Sequence, residues 1–135
     1  MNQDEIVRRA RSLVGIAFRP QGRDPLAALD CVGVVVSVFE LPVETVPRNY
    51  RLRGRFADTM EDELWRHFRR VPVGERGAAD VMLCAIRADR LHLAIHCGGS
   101  FVHADARARR VVETPGDPPW PLRSVFRRLD DFRAS

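Results

Sequence analysis

The stretch Asp30-Cys31-Val32-Gly33-Val34-Val35-Val36-Ser37-Val38-Phe39-Glu40-Leu41, closed by Pro42, decides how the chain is read. Its valines favour a buried strand by propensity, whereas a run of this length between a helix-capping aspartate and a proline suits a buried helix. Periodicity does not arbitrate in so apolar a run, and both readings stand at this point. If a helix begins here, Cys31 occupies its first turn, where the dipole and unpaired amide hydrogens favour thiolate over thiol. On a strand, Cys31 is a cysteine buried at the start of an apolar element.

Working outward, Ile6, Ala10, Leu13 and Val14 have helical spacing over residues 4–14, with Asn2 or Asp4 as cap and Gly15 as stop. Residues 15–29 mix Pro20, Gly22 and Pro25 with polar residues and read as an ordered loop. Beyond Pro42 an irregular surface excursion is expected to residue 57. Asp58-Thr59 ahead of Glu61 and Asp62 offers capping-box spacing, and Met60, Leu64 and Phe68 predict an amphipathic helix ending near Arg70. After Gly74 and Gly77 the period becomes two, with strands predicted at 80–86, 91–97, 100–104 and 110–113. Gly98-Gly99 forms a two-residue hairpin signal between the middle pair. The arginine-rich end, after a proline-rich loop at 115–121, is either a short helix or a last strand. Helices precede strands, so the class is α+β with an antiparallel sheet. Without internal repeat or linker, residues 1–135 read as a single domain.

The hairpin carries a geometric expectation. With Gly98 and Gly99 as turn residues, Cys97 pairs with Ser100, His96 with Phe101, Ile95 with Val102, Ala94 with His103 and His92 with Asp105. Leu93, Ile95 and Val102 then line one face, while His92, Ala94, His96, Phe101, His103 and Asp105 line the other. His103 lies diagonal to His92, within reach of an imidazole–imidazole hydrogen bond. One nitrogen of His92 is thereby held by His103 or Asp105 and the other left for proton transfer, the base-plus-orienter half of a nucleophilic triad. The same histidines also suit plain polar positions on a solvent face. A shared metal is disfavoured, because His92 and His96 on a strand have Cα atoms roughly 13 Å apart at ~3.3 Å per residue.

Composition bounds the rest. The chain has 45% hydrophobic and 30% charged residues, the balance of an ordinary globular domain. Its 3 cysteines are odd in number and contain no CxxC pair, which argues against a disulfide framework or zinc knuckle. Cys84 and Cys97 read as small apolar fillers of strands. The net charge of +4 rests on arginine alone, with no lysine, and favours anionic partners without naming one. Nucleic acid is not indicated, since the arginines are scattered and no binding module accompanies them. No run is long enough for a membrane span, and the N-terminus lacks a signal-peptide pattern, so synthesis in the cytoplasm is expected.

These pieces resemble the NlpC-type cell-wall cysteine peptidases, which are papain-like. Asp30-Cys31-Val32-Gly33-Val34-Val35 is similar to the family's Asp-Cys-x-Gly-hydrophobic signature, and Leu91-His92-Leu93-Ala94-Ile95-His96 to its His-hydrophobic-Gly-Ile-Tyr strand. Phe101-Val102-His103-Ala104 resembles the following strand with its third polar residue, and Ala79-Asp80-Val81-Met82 stands where Gly-Asp-hydrophobic-hydrophobic is usual. The motifs fall in order along most of the chain. Its size, the missing signal and a helix around Trp65 look most like the subgroup found among phage-tail and gene-transfer-agent genes.

The resemblance implies that residues 31–41 are helical, packed on an antiparallel sheet. It also implies a peptidoglycan endopeptidase that cuts an amide of the peptide stem, commonly the D-glutamyl to diaminopimelate link, through an acyl-enzyme and without cofactor or metal. By the same resemblance Cys31 is the nucleophile, His92 the general base, and His103 the orienter, with Asp105 as an alternative. Asp30 falls at a position associated with binding the substrate's free amine, and Phe18 where a tyrosine is usual, so a hydroxyl is lost there. Action at the cell wall would follow delivery by a phage-like tail or lysis, with tail proteins as partners. Arg107, Arg109, Arg110, Arg123, Arg127 and Arg128 are candidates for a basic surface facing an anionic wall. The alternatives are a weakly active tail-assembly protein on the same fold, and an amidase or acyltransferase using the same triad.

Overall fold

The stretch that begins at Cys31 is helical. In the computed structural model, which describes residues 1–42, 66–87 and 90–129, helix α2 spans Cys31–Phe39. Asp30 holds extended backbone ahead of it and accepts the Gly33 N–H at 2.7 Å, and Glu40 ends it in the left-handed region at φ 54°. Cap and stop fix the ends, and burial of every residue but Ser37 overrides the strand propensity of the valines. Helix α1, Gln3–Ser12, is capped by the Asn2 side chain, which accepts the Glu5 N–H at 2.9 Å. It buries Ile6, Val7 and Ala10 in the same core as α2.

The segment between the helices is an ordered loop carrying a small hairpin, β1 (Arg23–Asp24) with β2 (Ala28–Leu29). It packs so closely on α2 that a Cβ at Gly33 would collide with the Gly22 carbonyl. Arg23 lies inside this contact. Its guanidinium meets Asp30 Oδ1 at 2.6 Å with both side chains almost wholly buried, and Asp30 Oδ2 accepts the Gln21 N–H at 3.0 Å. The loop and the start of α2 are therefore held by one carboxylate.

Six further strands make one antiparallel sheet: β3 (Phe68–Val71), β4 (Val81–Arg87), β5 (Arg90–His96), β6 (Ser100–Asp105), β7 (Arg110–Pro115) and β8 (Leu122–Arg128). Their order is β3-β8-β4-β5-β6-β7. The helices cover one face, where Leu91, Leu93, Ile95 and Val102 join the helical core. The other face carries a smaller cluster of Val71, Met82, Cys84, Ala94, Phe101 and Val125, with Trp120 against it. The class is α+β with an antiparallel sheet, and the faces of the β5–β6 hairpin alternate as the sequence pattern requires.

Three expectations change. Phe68 does not close an amphipathic helix: it opens β3, opposite Arg128, and its ring meets Phe39 edge-on at 4.9 Å. Spacing from Leu64 suits a helix, but the ladder offered by β8 and the pocket beside Phe39 decide the segment. The capping box at 58–62, Met60, Leu64 and Trp65 lie outside the described residues. The arginine-rich end is a strand, β8, inserted between β3 and β4. Two of its arginines hold the sheet instead of facing outward. Arg127 grips the fully buried Asp80 with two bonds of 2.8 Å, and Arg128 donates to the Phe39 carbonyl at 2.6 Å while lying over that ring. Finally, the hairpin pairs as expected at Ile95↔Val102 and His96↔Phe101, with Cys97 N–H on Ser100 O at 2.8 Å, but the register does not continue to Ala94↔His103 and His92↔Asp105. Past Ile95 the two strands part.

No helix among the described residues is long and apolar enough to cross a membrane.

Asp30→Ala removes the cap and strands the buried Arg23, so chemical denaturation should show a loss of about 3–5 kcal/mol, and Asp30→Asn a smaller one. Ala79 stands at φ 78°, a left-handed conformation costly for any residue with a Cβ. Ala79→Gly should raise stability by up to about 1 kcal/mol in the same assay.

Candidate active site

The parting of β5 and β6 opens the sheet where α2 begins. Backbone groups alternate direction along β5: the His96 N–H bonds Asp80 O at 2.9 Å on the β4 side, so the Leu93 N–H points to the β6 side. There it finds the Cys31 sulfur instead of a continued ladder, and it favours the thiolate together with the Val32 N–H. The body of α2 lies under the Leu93 face, whereas His92 projects from the opposite face. Cys31, the first residue of the helix, reaches the gap between them. Cys84 sits directly opposite His92 on β4, near enough for a thiolate at Cys31 to raise its own proton affinity.

Cys31, His92 and His103 line one cavity of about 720 Å³. Phe18, Asp30, Asp105 and Trp120 line it too, so the nucleophile, base, orienter and substrate-binding candidates singled out from the sequence all reach the same space. His92 Nε2 lies 2.8 Å from His103 Nδ1, with the rings edge to face. His103, not Asp105, occupies that nitrogen. Asp105 accepts the Arg107 N–H at 2.9 Å and acts on the two imidazoles through its charge, favouring their protonated forms. Asp30 has both oxygens engaged by Arg23, Gly33 and Gln21. In this arrangement it seats the helix start and the loop that form one wall of the cavity.

Burial dominates the protonation of the site. The Cys31 thiol is pushed up to about 12, first by burial and then by the Asp30 charge, with the Leu93 and Val32 amides and Arg23 opposing. Burial thus opposes and outweighs the thiolate-favouring amides at the helix start. His92 is pushed down to about 3 by burial, then by the charges of His103 and Arg90. His103 is lowered by burial as well. Burial favours the neutral form of the cysteine and of both imidazoles. Cys84 and Cys97, also buried and free, are raised to about 12 and about 11, again by burial first.

Two contributors, Trp120 and Arg23, escaped the sequence. Trp120, from the proline-rich loop, covers both imidazoles, with ring centroids 5.3 Å from His92 and 5.6 Å from His103. Phe101 supports His103 from beneath at 5.0 Å. A tryptophan among prolines carries no periodic signal that would place it on a neighbouring strand. Arg23 is one of 22 arginines, and nothing in its neighbours marks it as the buried one.

No family model matches the sequence, and neither does any curated protein. Solved structures do resemble the fold. NlpC2 from Trichomonas vaginalis aligns with a TM-score of 0.69 and 18% identity over 95% of this chain and 47% of its own. The chain thus spans about half of that protein. The NlpC/p60 domain of the peptidoglycan hydrolase SagA aligns with a TM-score of 0.61 and 20% identity over 85% of this chain and 90% of its own. The peptidoglycan hydrolase RipB from Mycobacterium tuberculosis gives 0.62 and 22% over 93% and 63%. With its helix-start cysteine packed on an antiparallel sheet, the chain has the papain-like α+β fold of the NlpC/P60 domain.

Proposed function

We propose that the chain is a cysteine-type peptidoglycan endopeptidase acting on an amide of the peptide stem. The observation that carries this reading is the convergence of Cys31 and the hydrogen-bonded His92–His103 pair on one cavity. The NlpC/P60 fold shared with two peptidoglycan hydrolases supports the substrate class. The D-glutamyl to diaminopimelate bond is the proposed target, with delivery by a phage-like tail or release on lysis as the route to the wall.

In the proposed reaction the neutral pair is the resting state. For His92 to accept a proton at Nδ1, its own hydrogen sits on Nε2 and is donated to His103 Nδ1. The Cys31 sulfur attacks the carbonyl carbon as its proton passes to His92 Nδ1. The backbone N–H of Cys31 meets the developing oxyanion, and collapse expels the amine, which takes the proton from His92. Water then cleaves the thioester, again giving a proton to His92, and the product acid leaves with the thiol restored. Trp120 covers both imidazoles and limits their contact with water. Asp30 and Arg23 hold the sulfur in place.

Mass spectrometry of purified muropeptides should show stems cut by the wild-type chain, and a loss of more than about 10³-fold for Cys31→Ala. Intact stems with both proteins would point to the structural-protein alternative; turnover of another amide or ester by wild type alone would point to an amidase or acyltransferase.

The pH dependence follows from the lowered imidazole. His92 stays neutral, and so competent as a base, until pH falls through its folded value, about 3 against an ordinary 6.5. The acid limb of kcat/KM, which reports the free enzyme, should therefore lie clearly below 6.5. Trp120→Ala admits water to both rings and should move that limb upward, with Trp120→Phe restoring part of the difference.

A further inference from the structure

Three arginines gather at the end of the sheet that carries the histidines. Arg87 closes β4, Arg90 opens β5 and Arg107 stands in the turn after β6, and all three line the cavity. Because β4, β5 and β6 are antiparallel neighbours, these positions share one end of the sheet. Arg90 and His92, two apart on one strand, face the same side about 6–7 Å apart. Arg90's charge acts directly on the imidazole.

These guanidiniums are set against one another. Arg87 and Arg90 are register partners, directly opposite across β4 and β5, where like charges destabilise a sheet. All three side chains are exposed, and among the described residues none of them forms an ion pair with a carboxylate. Of the cavity's acids, Asp30 is bound by Arg23, and Asp105 accepts the Arg107 N–H but makes no ion pair with any of the three guanidiniums among the described residues. A planar anion entering the cavity would meet several forked donors and cancel the repulsion at once.

We infer that Arg87, Arg90 and Arg107 form a carboxylate-binding subsite that selects stem peptides with a free carboxylate beside the scissile amide over amidated stems. The inference rests on the peptidase reading of the cavity and names the feature of the substrate that it recognises. Arg90 lies about 6–7 Å along β5 from His92, so the carboxylate belongs to a residue flanking the bond that is cut.

Calorimetry on the Cys31→Ala protein tests it without turnover. The probes are the tripeptide L-alanyl-γ-D-glutamyl-diaminopimelate with free carboxylates and the same peptide amidated at one carboxylate or the other. Amidation at one position should weaken binding about tenfold or more. Arg90→Gln combined with Arg107→Gln should weaken the free peptide by a similar factor and erase the discrimination, leaving the amidated peptide unchanged. Arg87→Gln should raise the melting temperature of the peptide-free protein by about 1–2 °C through relief of repulsion. Binding of free and amidated peptides within twofold of each other would overturn the subsite. So would discrimination that survives the double variant, or tighter binding of a soluble poly(glycerol phosphate) than of any peptide. Cleavage by the wild-type chain is scored separately. Discrimination without cleavage supports the subsite and counts against hydrolysis, whereas cleavage without discrimination does the reverse.

Discussion

The carboxylate of Asp30 ties together the parts on which the cavity depends. It caps α2 through Gly33, binds the buried guanidinium of Arg23 and accepts the Gln21 amide, so one side chain fixes both the helix start and the loop across from it. Charged groups this deeply buried are tolerated only when paired and hydrogen-bonded. The arrangement is consequently close to all-or-none: moving the loop would expose Arg23 to an apolar surrounding, and moving the helix would break the cap. The sulfur of Cys31, one residue on, inherits that rigidity. Gly33 completes it, because only a residue without a side chain allows α2 to approach the Gly22 carbonyl.

Burial sets the electrical character of the site more than any dipole does. A helix N-terminus stabilises negative charge by a modest amount at an exposed position, and a thiolate taken out of water loses far more. Cys31 illustrates the balance: amides from Leu93 and Val32 and the guanidinium of Arg23 lower its proton affinity, yet burial leaves it raised. The two imidazoles respond to the same cause in the opposite direction, as bases do. In the proposed reaction a neutral thiol beside a neutral base would need charge separation only as the carbonyl is attacked.

Much of this was legible in the residues, and the exceptions have physical causes. The hairpin register followed from Gly98-Gly99 and strict alternation, which left one way to bury Leu93, Ile95 and Val102 together. It failed past Ile95, because the gap that admits the Cys31 sulfur is created by packing against α2 and not by anything local to the strands. The valine-rich run was undecided until the family resemblance spoke, since both a strand and a helix bury such residues equally well. Phe68 satisfied a helical spacing and a strand pattern alike, and a partner 60 positions away, Arg128, decided between them. Trp120 and Arg23 depend wholly on how loops fold back, a property that single-residue patterns do not encode.

The place of β8 in the sheet bears on how the protein is born. Phe68 pairs with Arg128 and Val81 with Phe126, so β3 and β4 are never joined to each other, and the strand between them is made after both. Until residues 122–128 leave the ribosome, β4 has an open edge on one side, a surface prone to pair with foreign strands. Closing that edge requires contacts between distant positions, which slows folding. Arg127 then reaches Asp80 and Arg128 reaches the end of α2, so β8 locks a sheet whose other strands are made before it. The cavity walls contributed by β4 and β5 thus depend for their support on a strand synthesised well after them.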